Sequence, residues 1–124
     1  MKNKFELEYS INASPKILYA RLSTPGGLAE WFADDINIRG NTYTFIWEGA
    51  EQSAEVLCKK DNQLVRFQWT DQDDDSYFEF KIRKDELTGE VALVITDFSE
   101  EDEKDDNIEL WDTQIAELKH TLGL

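Results

Sequence analysis

The chain has 124 residues, a length suited to one domain with one core, and carries 27 acidic against 13 basic residues for a formal net charge of −14. So few Lys and Arg leave no broad surface for neutralising phosphates, which argues against nucleic acid and anionic membranes as partners. No apolar run approaches the ~20 residues of a membrane span, so membrane insertion is not expected. The single Cys58 cannot form an internal disulfide, and the charged opening Met1–Glu6 has no signal-peptide apolar core, so the expected location is cytoplasmic.

Phe5, Leu7, Tyr9 and Ile11 alternate with Glu6, Glu8 and Ser10, which predicts a half-buried first strand. Ser14-Pro15 supplies an N-cap with proline at the first helical position, and Ile17, Leu18 and Leu22 give that helix an apolar side. Thr24-Pro25 repeats the start signal almost at once, ahead of Leu28, Trp31 and Phe32. Turn residues then divide the chain into strands: Ile36–Ile38, Tyr43–Trp47, Ser53–Cys58, Leu64–Trp69, Tyr77–Ile82 and Val91–Phe98. One face of these strands is apolar, including Ala54, Val56 and Cys58. The alternates, such as Glu55, Arg66, Glu79 and Lys81, are largely polar, the pattern of an antiparallel sheet covered on one side. The cover is the closing helix, where Ile108, Trp111, Ile115, Leu118 and Leu122 recur at alternating spacings of three and four. Acidic Asp105 and Asp106 sit near its start, Lys119 and His120 near its end, and Gly123 follows as a stop. The fold class read from this order is α+β, a curved antiparallel sheet of about seven strands around one long C-terminal helix, with two short helices between strands 1 and 2.

Strand direction adds a spatial expectation. If Tyr43–Trp47 runs up, each following hairpin reverses the chain, so Trp47 and Trp69 both finish at the upper end of the sheet. The closing helix starts there, bringing Trp111, and Trp31 joins them if the strand after it runs down. Charge sorts along the same axis. Residues 71–112 hold 17 acids against 4 bases. An acidic rim is therefore expected at the top, from Asp34, Asp35, Asp71–Asp75 and Glu100–Glu103. Four aromatics at one end either plug the core or line a cavity. If a cavity opens there, neutral or cationic amphiphiles are favoured over anions.

Chemistry-bearing constellations are sparse. His120, the only histidine, lies in the last helical turn, away from the tryptophans, and Cys58 has no histidine to activate it. Asp71-x-Asp73-x-Asp75 opens like a calcium loop, but Ser76 replaces the required glycine and Ile82 the required glutamate. There is no zinc ligand set and no glycine-rich phosphate loop. Asp97 and Tyr43 are the readable inward-facing polar groups. No catalytic residue, metal or cofactor is expected.

The stretch Ala13-Ser14-Pro15, Leu18-Tyr19, Leu22, Thr24-Pro25, Leu28-Ala29-Glu30-Trp31-Phe32 resembles the opening of START-like (SRPBCC) helix-grip domains. Tyr43–Trp47, Leu64–Trp69 and the helix with Leu110-Trp111, Ile115 and Leu118 continue the resemblance over nearly the whole chain. The branch it most resembles is the one named for the activator of the heat-shock chaperone ATPase. The resemblance implies a single START-like domain over residues 1–124, binding a small apolar or amphipathic molecule without catalysis. The ligand would lie between the closing helix and the sheet, with walls drawn from Trp31, Phe32, Tyr43, Phe45, Trp47, Phe67, Trp69, Phe78, Phe80, Leu93, Ile95, Trp111 and Ile115. Two alternatives stay open: a co-chaperone-like module docking a protein with a basic surface, and a cyclase- or hydratase-like enzyme.

Overall fold

The computed structural model describes residues 2–72 and 74–124; Asp73, one of the expected rim carboxylates, lies outside them. The chain order is β1 (Asn3–Ser10), α1 (Pro15–Ser23), α2 (Pro25–Leu28), β2 (Asp35–Arg39), β3 (Thr42–Trp47), β4 (Ala50–Lys60), β5 (Leu64–Trp69), β6 (Phe78–Lys84) and β7 (Val91–Ser99). A short 3-10 turn (Glu101–Glu103) leads into the closing helix α3 (Lys104–Thr121). The seven strands form one antiparallel sheet in the order β1-β7-β6-β5-β4-β3-β2, so the first strand pairs with the last and every other neighbour is a hairpin.

The helical insert starts where its caps dictate. The Ile17 N–H donates to Ser14 Oγ at 3.2 Å, and the Gly27 N–H donates to Thr24 Oγ1 at 3.0 Å. Proline follows each cap, where a missing N–H costs nothing. Gly27 is required by close approach, because a Cβ there would lie 2.1 Å from the Ala20 carbonyl oxygen. The tight β3–β4 turn places Glu48 and Gly49 in the left-handed region, φ 49° and 84°.

The inward residues of the sheet and the stripe of α3 share one core. Phe45, Phe67, Phe80, Leu93 and Ile95 are fully enclosed beneath Trp111, Ile115 and Leu118, with Ile108 and Leu122 packed at the ends of the stripe. Two contacts hold α3 to the β1–β7 side. The Tyr9 hydroxyl donates to Asp112 Oδ1 at 2.6 Å, and the Trp111 indole donates to Asp97 Oδ2 at 2.9 Å. At the other end of the helix, Arg21 Nη1 donates to the Thr121 carbonyl at 3.4 Å, tying it to α1.

The alternation expected through β4 does not run unbroken. A register shift between Val56 and Cys58 leaves Leu57 exposed, and Cys58 is half-buried opposite Arg66 rather than a core thiol. An extra residue at a bulge resets the period of two, so the apolar positions before and after it cannot be read as one face. Among the described residues, no helix is long and apolar enough to cross a membrane.

Ile115 tests the helix placement because it is enclosed on all sides. Ile115→Ala is expected to cost about 2–5 kcal/mol, a fall in melting temperature on the order of 10 °C, and Ile115→Asp more, since its carboxylate would be buried unpaired. Thermal unfolding followed by circular dichroism checks this; an Ile115→Asp protein melting within a degree or two of wild type would place α3 elsewhere.

Candidate functional site

The hairpin directions bring the ends of β3 and β5 together. Trp47 pairs opposite Ala50 and Trp69 opposite Ala54, and the two indole centroids lie 6.3 Å apart. Because α3 is fastened toward β1 and β7, its other flank stands over β3, β4 and β5, and a groove of about 370 Å³ opens between them. The sheet side contributes Trp47, Gln52, Trp69, Phe78 and Asp97; the helix contributes Asn107, Leu110, Trp111 and Gln114; Phe32 from the insert completes the lining. The walls are thus mainly aromatic, with a few polar groups, the composition typical of small-molecule sites.

The indoles are held in place by hydrogen bonds as well as packing. Trp47 Nε1 donates to the Phe32 carbonyl at 2.7 Å, which joins β3 to the insert. Trp111 is fixed by Asp97, and its ring lies 6.0 Å from that of Phe32 in a nearly parallel stack. Trp69 packs against Phe78 at 4.8 Å and edge-on to Phe45 at 5.7 Å. Such offset and edge-to-face contacts favour a rigid wall.

Of the thirteen residues expected to form the cavity, five line this groove: Phe32, Trp47, Trp69, Phe78 and Trp111. The other eight (Trp31, Tyr43, Phe45, Phe67, Phe80, Leu93, Ile95 and Ile115) are packed core below it. Their side chains interlock across the helix–sheet interface and fill the lower part of the grip. The Trp31 ring packs edge-on to Phe80 at 5.6 Å, in the core below the groove. Its indole donates to the Arg21 carbonyl of α1 at 2.7 Å, not toward the groove. Tyr43 is likewise structural, its hydroxyl donating to the Ser23 carbonyl at 2.9 Å.

Four groove residues escape a reading based on apolar periodicity: Gln52, Asn107, Leu110 and Gln114. Gln52 pairs opposite Phe45 and so shares its concave face. Asn107, Leu110 and Gln114 recur at spacings of three and four, a second stripe beside the apolar one; that spacing is the signal that could have found them.

The acidic rim is arranged differently from expectation. None of Asp34, Asp35, Asp71, Asp74, Asp75 or Glu100–Glu103 lines the groove. Asp34 accepts from the Glu48 N–H and Asp74 from the Ser76 N–H, as turn caps, and Asp71 reaches the groove only through Gln52 at 3.4 Å. Among the described residues, Asp97 is the one titratable lining group. Its half-buried carboxylate accepts from the Trp111 indole and, through Oδ1, from the Phe98 N–H at 2.7 Å. Burial pushes its carboxyl above the usual carboxylate range; the two hydrogen bonds and the charge of Lys2 oppose that shift without cancelling it. Asp74 and Asp85 are held below that range, chiefly by hydrogen bonds from Ser76 and from the Leu87 and Thr88 backbone. Among the described residues no cluster of His, Cys, Asp or Glu has the geometry to hold a metal ion. Carboxyl-carbon NMR titration should therefore show Asp97 protonating at higher pH than Asp74 and Asp85. An Asp97 that titrates below them would mean that the groove floor is fully solvated.

Comparison with known proteins agrees with the fold. A protein from Bacteroides fragilis solved by NMR is 42% identical, with a TM-score of 0.71 over 99% of this chain and 93% of that one. The Aha1 dimer of Colwellia psychrerythraea superposes with a TM-score of 0.80 at 22% identity, covering 94% of this chain and 93% of its own, a likeness of fold. A protein from the dynemicin biosynthetic locus, at 14% identity, has a TM-score of 0.82 over 97% of this chain and 47% of its own, a likeness of fold. No curated protein matches the chain. The description of the START-like superfamily domain matches residues 1–124, and the chain belongs to that superfamily.

Proposed function

We propose that this domain is a non-catalytic binding module that holds a small hydrophobic or amphipathic molecule in the groove between α3 and the sheet. The observation that carries the reading is the groove itself: Trp47, Trp69, Trp111, Phe32 and Phe78 form apolar walls around an aqueous mouth beside the exposed Leu110. Rings already packed and hydrogen-bonded in place lose little freedom when a ligand arrives, which favours binding. Membership of the START-like superfamily supports a ligand-binding role for the fold. The lining argues against acid–base catalysis, since Asp97 is its single titratable side chain among the described residues, with no second acid or base beside it.

Three of the four tryptophans line the groove, so occupancy has a direct readout. Titration with n-octanol is expected to produce a saturable change in tryptophan emission, together with shifts of the Trp69 and Trp111 indole N–H resonances. Gln52→Phe, which would fill the groove from β4, should weaken that response about tenfold or more while preserving the fold by circular dichroism. Indole resonances that stay unmoved up to the solubility limit of octanol would remove the groove as a binding site.

A further inference from the structure

We propose that Asp97 is the head-group anchor of the groove, and that the groove selects amphiphiles ending in a protonated primary amine. This rests on the reading of the groove as a ligand site and names the ligand class that such a site would take.

The argument starts from where β7 places a charge. Residues 91, 93 and 95 alternate onto the concave face as Val, Leu and Ile, all buried, and the next inward position is Asp97. A carboxylate at the end of an apolar row, beneath a helix, is costly unless something engages it. Trp111 Nε1 and the Phe98 N–H engage it in part. An ionised carboxylate offers about four acceptor directions, so roughly two stay open after those bonds. Among the described residues no Lys or Arg forms an ion pair with it. Lys2, whose charge it feels, is bonded to Gln72 and lies 3.5 Å from Asp74. The wall carries a negative carboxylate whose protein partners are both neutral.

The rest of the lining suits the same ligand end. The side-chain amides of Asn107 and Gln114, one on each side of Trp111 along α3, form no hydrogen bond among the described residues. An ammonium group has three N–H donors, enough for Asp97 and a neighbouring amide oxygen. An aromatic lining attracts a cation wherever a ring face meets it, whereas a carboxylate head would meet Asp97 with repulsion. An alcohol head satisfies only the hydrogen bond, without its charge assistance. The expected order of affinity is amine, then alcohol, then carboxylate. Desolvation of Asp97, which raises its pKa, acts in the same sense, because an arriving cation relieves the cost of keeping the carboxylate charged.

The diffuse acidity of this end of the molecule predicts a cation preference too, but with a different salt dependence. Solvated charges such as those of Asp71, Asp74 and Glu101 are screened over roughly 8–10 Å at ordinary ionic strength, while a direct contact inside the groove is screened far less. The test is a set of tryptophan-fluorescence titrations with n-octylamine, n-octanol and sodium octanoate, at neutral pH and below aggregation, in about 0.05 M and about 0.5 M NaCl. Octylamine should bind about tenfold more tightly than octanol at both salt concentrations, with octanoate weakest. In Asp97→Asn, folded by circular dichroism, the amine-to-alcohol ratio should fall to about two or less. Octanol matching octylamine in the wild-type protein overturns the anchor and leaves the groove reading intact. No saturable response to any of the three overturns both. An amine preference that disappears in high salt assigns it to the diffuse surface charge, and an undiminished preference in Asp97→Asn assigns it to the rings; either result overturns the proposal. Should Asp97→Asn fail to fold, carboxyl-carbon NMR of the wild-type protein decides: saturating octylamine should shift the Asp97 resonance and lower its titration midpoint, and an Asp97 signal unmoved by the amine overturns the anchor.

Discussion

Phe32 is where the three parts of the molecule meet. Its ring lies 5.1–6.0 Å from six others: Trp31 beside it, Phe45 and Trp47 on β3, Phe78 and Phe80 on β6, and Trp111 on α3. Its carbonyl accepts the Trp47 indole N–H, and its own N–H closes the helical turn on Leu28 at 2.8 Å. One residue of the insert therefore contacts the sheet and the closing helix together. The groove depends on this meeting point, because the Phe32 ring is part of its lining and helps to orient two of its three indoles. The insert itself can reach that position only because Gly27 lets α2 close against α1.

The features legible in the amino-acid sequence are those with a period belonging to one element. The Ile108-to-Leu122 stripe predicted how α3 lies, and hairpin parity predicted that Trp47 and Trp69 share an end, although 22 residues separate them. Both are consequences of local geometry that tertiary packing does not alter. What escaped depends on offsets between elements. Whether Phe45, Phe67 and Phe80 would wall a cavity or fill it turns on how far α3 stands from the sheet. That distance is set by Tyr9–Asp112 and Trp111–Asp97, contacts between residues 103 and 14 positions apart. The bulge in β4 is of the same kind: one extra residue redirects the side chains after it without changing the pattern around it.

Charge and shape play separate parts in this fold. The acidic excess is concentrated in the upper loops and the start of α3, where most of these side chains are solvated and Asp34 and Asp74 cap turns. Net charge of that size favours solubility and repels other polyanions; it does not position a ligand. The interior polarity is far more selective: one carboxylate and three amides around a set of aromatic faces. A family fold shared at 14–22% identity says nothing about those side chains, so the ligand preference has to be argued from them.

The dependence of insert, sheet and helix on Phe32 is tested most directly by amide hydrogen exchange on Phe32→Leu, a substitution that keeps an apolar side chain and removes the ring. If the ring couples the parts, residues 25–34 and the first half of α3, residues 104–114, should lose protection together, while β6 and β7 retain theirs. Loss of protection confined to residues 25–34, with α3 exchanging as in the wild-type protein, would contradict the account and show that the helix is held by its β1–β7 contacts alone.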